Sequence, residues 1–426
     1  MYSKMNIIRS LVIALFIMIQ GITGVRGAWL LLPMDESQTD HLKAYGIAYW
    51  TLQQGATLEW LLNYRGGSFL LPYAQNIEQE CLLRGVKTET IPDVTRLQIL
   101  DEIARPDINM DVIRMEKAPK IAVYAPEDKQ PWDDAVMMAL GYAEIPYDRL
   151  YDGEVLEGRL KGYDWLHLHH EDFTGQYGRF YRAFNHMAWY QKQVADNEIL
   201  AAKYGFSKVS KMKLAVALII KAYVADGGFL FSMCSGADSF DIALAAQNVD
   251  ICAQMYDGDP ADPQMNEKLD FSQTLAFQNF KLIEDPLEYE FSTIDATQSR
   301  RIAQNQDYFT LFDFSAKWDP VPTMLCQDHT RIIRGFMGQT TAFLKEYVKP
   351  SVTIMGENKA LDEVRYIHGE YGKGTWTFYG GHDPEDYSHL VGDPETDLSL
   401  HPNSPGYRLI LNNVLFPAAK KKKLKT

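Results

Sequence analysis

Gly227-Gly228-Phe229-Leu230-Phe231-Ser232-Met233-Cys234-Ser235-Gly236-Ala237-Asp238 is the stretch on which the fold turns. Two glycines end a helical pattern, a short apolar run follows, and the run stops at a cysteine set among small residues. Such a run is how a buried parallel strand is written. Ser232, Ser235 and Gly236 have no packing purpose inside one. They suit a sharp strand-to-helix turn, in which backbone closes around a nucleophile and lifts its side chain above the sheet edge. Amides at the start of the following helix would then face Cys234 and favour its thiolate, making it more reactive than Cys81, Cys252 and Cys326. The plainer alternative is a cysteine packed as a small hydrophobe.

Working outward, residues 120–124 form a short β-branched run, 132–142 a helical one, 148–150 an extended link and 163–169 a strand. Residues 180–203 and 211–225 carry helical spacing, and 257–263 is a loop rich in Pro and Asp. Strand patterns recur at 352–355 and 364–368, then a hairpin turn at 370–374 leads into a strand over 375–379. The alternation predicts a flavodoxin-like α/β domain over 117–417, with a mostly parallel sheet flanked by helices. Residues 28–116 alternate similarly, with strands at 29–32 and 58–63 and helices at 38–54 and 74–84, and predict a smaller N-terminal α/β domain. The polar run at 107–117 is the boundary.

A chain of 426 residues, 46% apolar, can bury a sizeable core and suits two domains. Its formal net charge of −14 disfavours nucleic acid as a partner, because phosphate binding needs a concentrated basic surface. Residues 1–27 read as a secretory signal: Lys4 and Arg9, an apolar run over 11–19, and Val25-Arg26-Gly27 before the cut. The run is short for a bilayer, and no cysteine precedes Cys81, so a periplasmic protein without a stable membrane anchor is expected. The alternative is an uncleaved anchor helix. Residues 418–426 form a basic, solvated tail. Four cysteines without a CxxC pair indicate neither a zinc ribbon nor a disulfide scaffold. No Gly-x-x-x-x-Gly-Lys-[Ser/Thr] or Gly-x-Gly-x-x-Gly occurs, and no cofactor is predicted.

A thiol on an elbow needs a base at the carboxyl end of another strand of the same sheet. His382 in Gly380-Gly381-His382-Asp383-Pro384-Glu385-Asp386 follows such a strand, with Glu385, Asp383 or Asp386 available to orient the ring. Cys234 and His382 should approach to roughly 3–5 Å. A solvated turn is the alternative. A second cluster, His167-Leu168-His169-His170-Glu171-Asp172, puts His167 and His169 on one strand face. A metal held by that pair with Glu171 or Asp172 matches no established spacing, so His169, His170 and Glu171 are expected to line the same cleft and bind a small-molecule ligand. Gly175, just beyond, could supply an oxyanion donor beside the amide of Ser235. Arg65, in Asn63-Tyr64-Arg65-Gly66-Gly67-Ser68-Phe69, is a candidate for an anion-binding nest or for a surface position on a Gly-rich hairpin.

Two resemblances are carried by these motifs. The elbow, together with Tyr371-Gly-Lys-Gly-Thr-Trp-Thr-Phe-Tyr-Gly-Gly-His-Asp-Pro-Glu385, resembles the class I glutamine-amidotransferase-like superfamily, its last segment especially the ThuA-like branch. The resemblance implies Cys234 as nucleophile, His382 as base and Glu385 as orienting carboxylate. Ser232 departs from the first glycine of the family's Gly-x-Cys-x-Gly, and the ThuA-like branch often lacks the cysteine, which implies a non-catalytic ligand-binding module instead. The whole chain also resembles exported Bacteroidetes-type proteins described as asparagine synthetase B. There Cys234-Ser235-Gly236-Ala237-Asp238-Ser239 is similar to a Ser-Gly-Gly-x-Asp-Ser pyrophosphate loop, which implies ATP and a ligand role for Asp238. Cys234 and Ser235 depart from that loop, and the N-terminal cysteine of those glutamine-hydrolysing enzymes is missing.

Overall fold

The computed structural model describes residues 28–128, 130–297, 300–319 and 330–419. The expected leader, the basic tail beyond Ala419 and Cys326 lie outside these. Two sheets organise the described residues. The first has five strands, β1 (Ala28–Leu32), β2 (Leu58–Leu62), β3 (Phe69–Pro72), β4 (Glu89–Pro92) and β5 (Asp111–Met115). They lie in the order β4-β1-β3-β2-β5, and every pairing is antiparallel. The polar run at 107–117 therefore ends inside this sheet as its edge strand.

The second sheet contains β6 (Ile121–Tyr124), β7 (Asp148–Leu150), β8 (Trp165–Leu168), β9 (Phe229–Met233), β10 (Tyr308–Leu311), β11 (Ile332–Arg334), β12 (Phe343–Leu344), β13 (Thr353–Asn358), β14 (Glu363–Tyr371) and β15 (Gly374–Tyr379). Its order is β11-β10-β13-β14-β15-β9-β8-β6-β7, with β12 on β14. The expected mostly parallel sheet is corrected to a mixed one. Strands β15, β9, β8, β6 and β7 run parallel, and the remainder pair antiparallel. The reason is the two-residue turn Gly372-Lys373, which folds β15 back along β14 and turns the sheet's direction there.

Strand alternation splits the core into layers. Phe229, Phe231 and Met233 face one way with Ile121, Val123 and Trp165. Against them pack α1 (His41–Gln53) of the N-terminal part and, further along the chain, α4 (Ala135–Tyr142) and α8 (Pro405–Leu415), while α2 (Gln75–Leu83) and α3 (Asp93–Ala104) belong to the first sheet. Leu230, Leu166 and Ala122 face the other way, onto α6 (Val209–Asp226) and α7 (Ser235–Ala245), while α5 (Ala188–Lys203) lies outside them. Helix starts follow from capping carboxylates and hydroxyls: Asp40 accepts from Lys43, Asp134 from Val136 and Met137, and Ser404, with Pro405 behind it, from Tyr407.

One apolar cluster runs through both sheets' helices, so the boundary near Lys117 separates two sheets and not two cores. Buried Arg408 on α8 donates to Met34 O at 3.2 Å and to Gly66 O, and Tyr45 on α1 donates to Asn412. No helix among the described residues is long and apolar enough to cross a membrane.

Candidate active site

Strand register assembles the site. Leu168 pairs with Ser232, and Ser232 with Phe378, so β8, β9 and β15 end level with one another. The residues that follow, His169 and His170, Cys234, and Gly380 to His382, must emerge together at the carboxyl edge. Cys234 sits at φ 48, ψ −141, in a left-handed region that only glycine adopts without strain. Gly236 is required next to it, because its amide donates to His169 O at 2.5 Å and a Cβ there would lie 2.5 Å from that oxygen. Gly381 is required by its φ of 98° and by Phe336, whose ring would meet a Cβ at 2.4 Å. The strain at position 234 predicts that Cys234→Gly will be more stable than Cys234→Ala by about 1 kcal/mol, since both lose the sulfur and only alanine keeps a Cβ at positive φ. Urea denaturation of the two variants measures it, and equal midpoints would contradict the strain.

Cys234 and His382 are both buried, at 2% and 6% exposure, and the sulfur lies close enough to the imidazole to favour its charged form. The opposite side of the ring is fixed by a carboxylate: Nε2 lies 2.9 Å from Asp133 Oδ1. This corrects the sequence-based choice of carboxylate. Glu385 pairs with His401 at 3.1 Å, and Asp383 turns back to accept from the Glu385 amide at 2.8 Å. Asp386 holds His389 at 2.9 Å, and His389 in turn stands 3.0 Å from the same Asp133 oxygen. Asp133 was concealed because residues 132–142 read as one helix, whereas the helix starts at Ala135 behind the Asp134 cap. The available signal was positional: Asp133 follows β6, a neighbour of β8, and so falls at the same sheet edge.

Burial opposes a charge on His382, but Asp133 and the thiol outweigh it and raise the ring to about 10. His382 is therefore expected to remain an imidazolium at pH 8, checked by ¹⁵N chemical shifts of its ring nitrogens. Because its folded pKa exceeds the unfolded one, the stability it contributes is present below about pH 6.5 and is lost as pH rises toward 10. Burial pushes the Cys81 thiol up to about 12 and that of Cys252 well above its ordinary value.

The remaining expected residues divide. His169 and His170 are at the site, their rings stacked with centroids 3.8 Å apart and 4.9 and 4.8 Å from that of His382. His167 Nε2 stands 3.2 Å from Asp134 Oδ1, and His169 Nδ1 3.3 Å from it, so the two share a carboxylate from another loop. Asp172 instead closes its own turn onto Thr174 and Gly178, and Glu171 faces Tyr151, so neither completes a site with that pair. Burial raises Glu171 to about 7.

The Ser235 amide opens α7 beside the thiol, as an oxyanion donor must. Gly175 packs on Ser210 at the start of α6, and the backbone found against the Cys234 sulfur is that of Gly338, where a Cβ would lie 2.9 Å from Sγ. Asp238 is buried and accepts from Thr340 Oγ1 at 3.0 Å, tying α7 to the loop that covers the thiol rather than facing a ligand. Arg65 is no anion nest: its guanidinium is held by Asp35 at 2.7 Å and Glu89 at 2.9 Å.

A cavity of about 1560 Å³ opens at the other end of the parallel strands, beside Asp164, Gly228 and Thr375. Asp164 and Gly228 immediately precede β8 and β9, and Thr375 lies at the start of β15, so the cavity and the thiol are at opposite ends of the parallel strands.

No protein-family model and no curated protein matches the chain. Among solved structures it is similar to the cytoplasmic protein STM3548 from Salmonella typhimurium, with a TM-score of 0.34 and 10% identity over 71% of this chain and 100% of that one. The cytoplasmic protein STM1381 from Salmonella typhimurium LT2 gives a TM-score of 0.30 and 13% identity, with the same coverage. Gan42B, a GH42 β-galactosidase, gives 0.27 and 12% identity over 63% of this chain and 28% of that one. At such scores no function passes from these proteins to this chain.

Proposed function

We propose that the chain is an exported thiol hydrolase, an amidase of the class I glutamine-amidotransferase-like kind with a flavodoxin-like main sheet, acting on a small amide or a carbohydrate-derived ligand. The observation that carries the reading is the alignment of Cys234, His382 and Asp133 across three loops of one sheet edge. With its proton held by His382, Cys234 Sγ attacks the carbonyl carbon while the Ser235 amide holds the developing oxyanion. The imidazolium of His382 protonates the leaving amine as the C–N bond breaks, leaving a thioester on Cys234. His382 then takes a proton from water, which attacks the thioester and releases the acid. Asp133 keeps the ring in position throughout. The ligand is small because the loop carrying Gly338 leaves the sulfur so little exposed.

The synthetase reading has no such support. A pyrophosphate cradle needs free amides, and that of Gly236 is already donated to His169. Ammonia release from a panel of small carboxamides and glycosylamides tests the proposal. Turnover should fall at least about 10³-fold in Cys234→Ser. Turnover that survives the substitution would refute the thiol mechanism.

A further inference from the structure

We propose that His169, His170 and His382 form a site for a divalent transition-metal ion, zinc above others, and that the bound ion withdraws His382 from Cys234. One nitrogen of each ring lies within 4.8 Å of the other two. Nε2 of His169 and Nε2 of His170 are buried without a hydrogen-bond partner. An unmatched buried nitrogen is costly, and here two such atoms lie on rings that stand beside a third imidazole. Successive residues on a strand would point to opposite faces. β8 ends at Leu168, however, and the turn beyond it stacks both rings on the same side.

The chemistry of the donors suits the ion. Metals take the neutral imidazole lone pair, so His382 must release to solvent the proton it shares with Asp133 as the ion binds. Behind His169 stands Asp134, and behind His382 stands Asp133, the carboxylate support that orients metal-bound imidazoles. Three nitrogens at zinc's bond length of about 2.0–2.1 Å need the stacked His169 and His170 rings to tilt toward one point as well as close in, since each lone pair lies in its ring plane, and a fourth position stays open. Because the ion draws on His382, its binding removes the partner of the thiol. That second half rests on the thiol reading, and the binding itself does not.

The test uses the full chain, stripped with chelator and titrated with zinc chloride by calorimetry, followed by zinc K-edge absorption spectroscopy of the loaded, unmutated protein. One equivalent should bind, with a nitrogen and oxygen shell showing imidazole scattering. His169→Ala and His170→Ala should each weaken binding about 100-fold, and Cys234→Ala should leave it intact. Saturating zinc should slow alkylation of Cys234 by iodoacetamide about tenfold or more in the unmutated protein and not in His170→Ala. Absence of stoichiometric binding by the unmutated protein, or a sulfur neighbour at about 2.3 Å, would overturn the site. Zinc bound with unchanged alkylation would overturn the withdrawal of His382. A Cys234 that resists alkylation even without zinc would count against the thiol reading alone.

Discussion

Substituting Asp133 by asparagine is expected to lower acylation of Cys234 by a factor on the order of 10³ to 10⁴ while leaving the protein folded, by analogy with the loss of the orienting carboxylate in Ser-His-Asp enzymes. Asp133 Oδ1 serves Nε2 of His382, and Asp133 together with the thiol outweighs the burial that would otherwise discharge the ring. Asparagine keeps the shape and removes the charge, so the imidazolium loses its balancing anion. Its amide nitrogen can also present a donor to Nε2, which selects the wrong tautomer. The measurement is the burst of p-nitrophenol on mixing with p-nitrophenyl acetate, with circular dichroism as the control for folding. A burst as fast as that of the unmutated protein would remove Asp133 from the mechanism. The companion variant Glu385→Gln should change the burst by less than about threefold, because Glu385 is committed to His401.

The second large effect is on stability. Asp307→Ala should cost about 3–5 kcal/mol, the usual loss when one partner of a buried ion pair is removed. Asp307 accepts two bonds from Arg300, at 2.6 and 2.7 Å, and another from Arg365 at 3.2 Å, and Arg300 also meets Glu363 at 2.9 Å. All four residues are buried, so the alanine variant leaves two guanidinium groups facing one carboxylate. The cluster also reaches the candidate site. Arg365 donates to Phe336 O in the covering loop, and Tyr387, five residues beyond His382, donates to Asp307 at 3.3 Å. Equilibrium denaturation should show the loss, and a midpoint shift worth under about 1 kcal/mol would mean the cluster is no more than a surface-like pair. The two arginines hold Asp307 below the usual carboxylate range despite its burial. A depressed folded pKa means that this stabilisation is present above about pH 4 and is lost as the pH falls further.

Much of the parallel half of the large sheet was legible, because β6, β8, β9 and β15 are short apolar runs between turn signals. The strands that escaped notice are of another kind. β10 has the burial pattern exposed-buried-exposed-buried and β11 is three residues long, so neither carries a continuous apolar signature. β5 was hidden in a polar run because only Ile113 and Met115 turn fully inward. The site shows the same division. Cys234 and His382 were legible because small residues crowd around each for a backbone reason. Asp133 was not, since a carboxylate before a helix looks like any helix-start residue until the strand order is known.

The level endings of β8, β9 and β15 also bear on how the chain acquires its chemistry over time. Residues of the site meet only when β9 has paired with strands that come from distant parts of the sequence, the farther being β15 near the carboxyl end. Loop-closure entropy makes such contacts slow to form. Helices α6 and α7, which flank β9 in sequence, can condense early from local contacts. The pairing of Cys234 with His382 should therefore appear late in refolding, after most helical signal has returned. A partly folded chain would carry Cys234 without its partners, and while it emerges during synthesis the thiol would stay chemically ordinary until β15 is added.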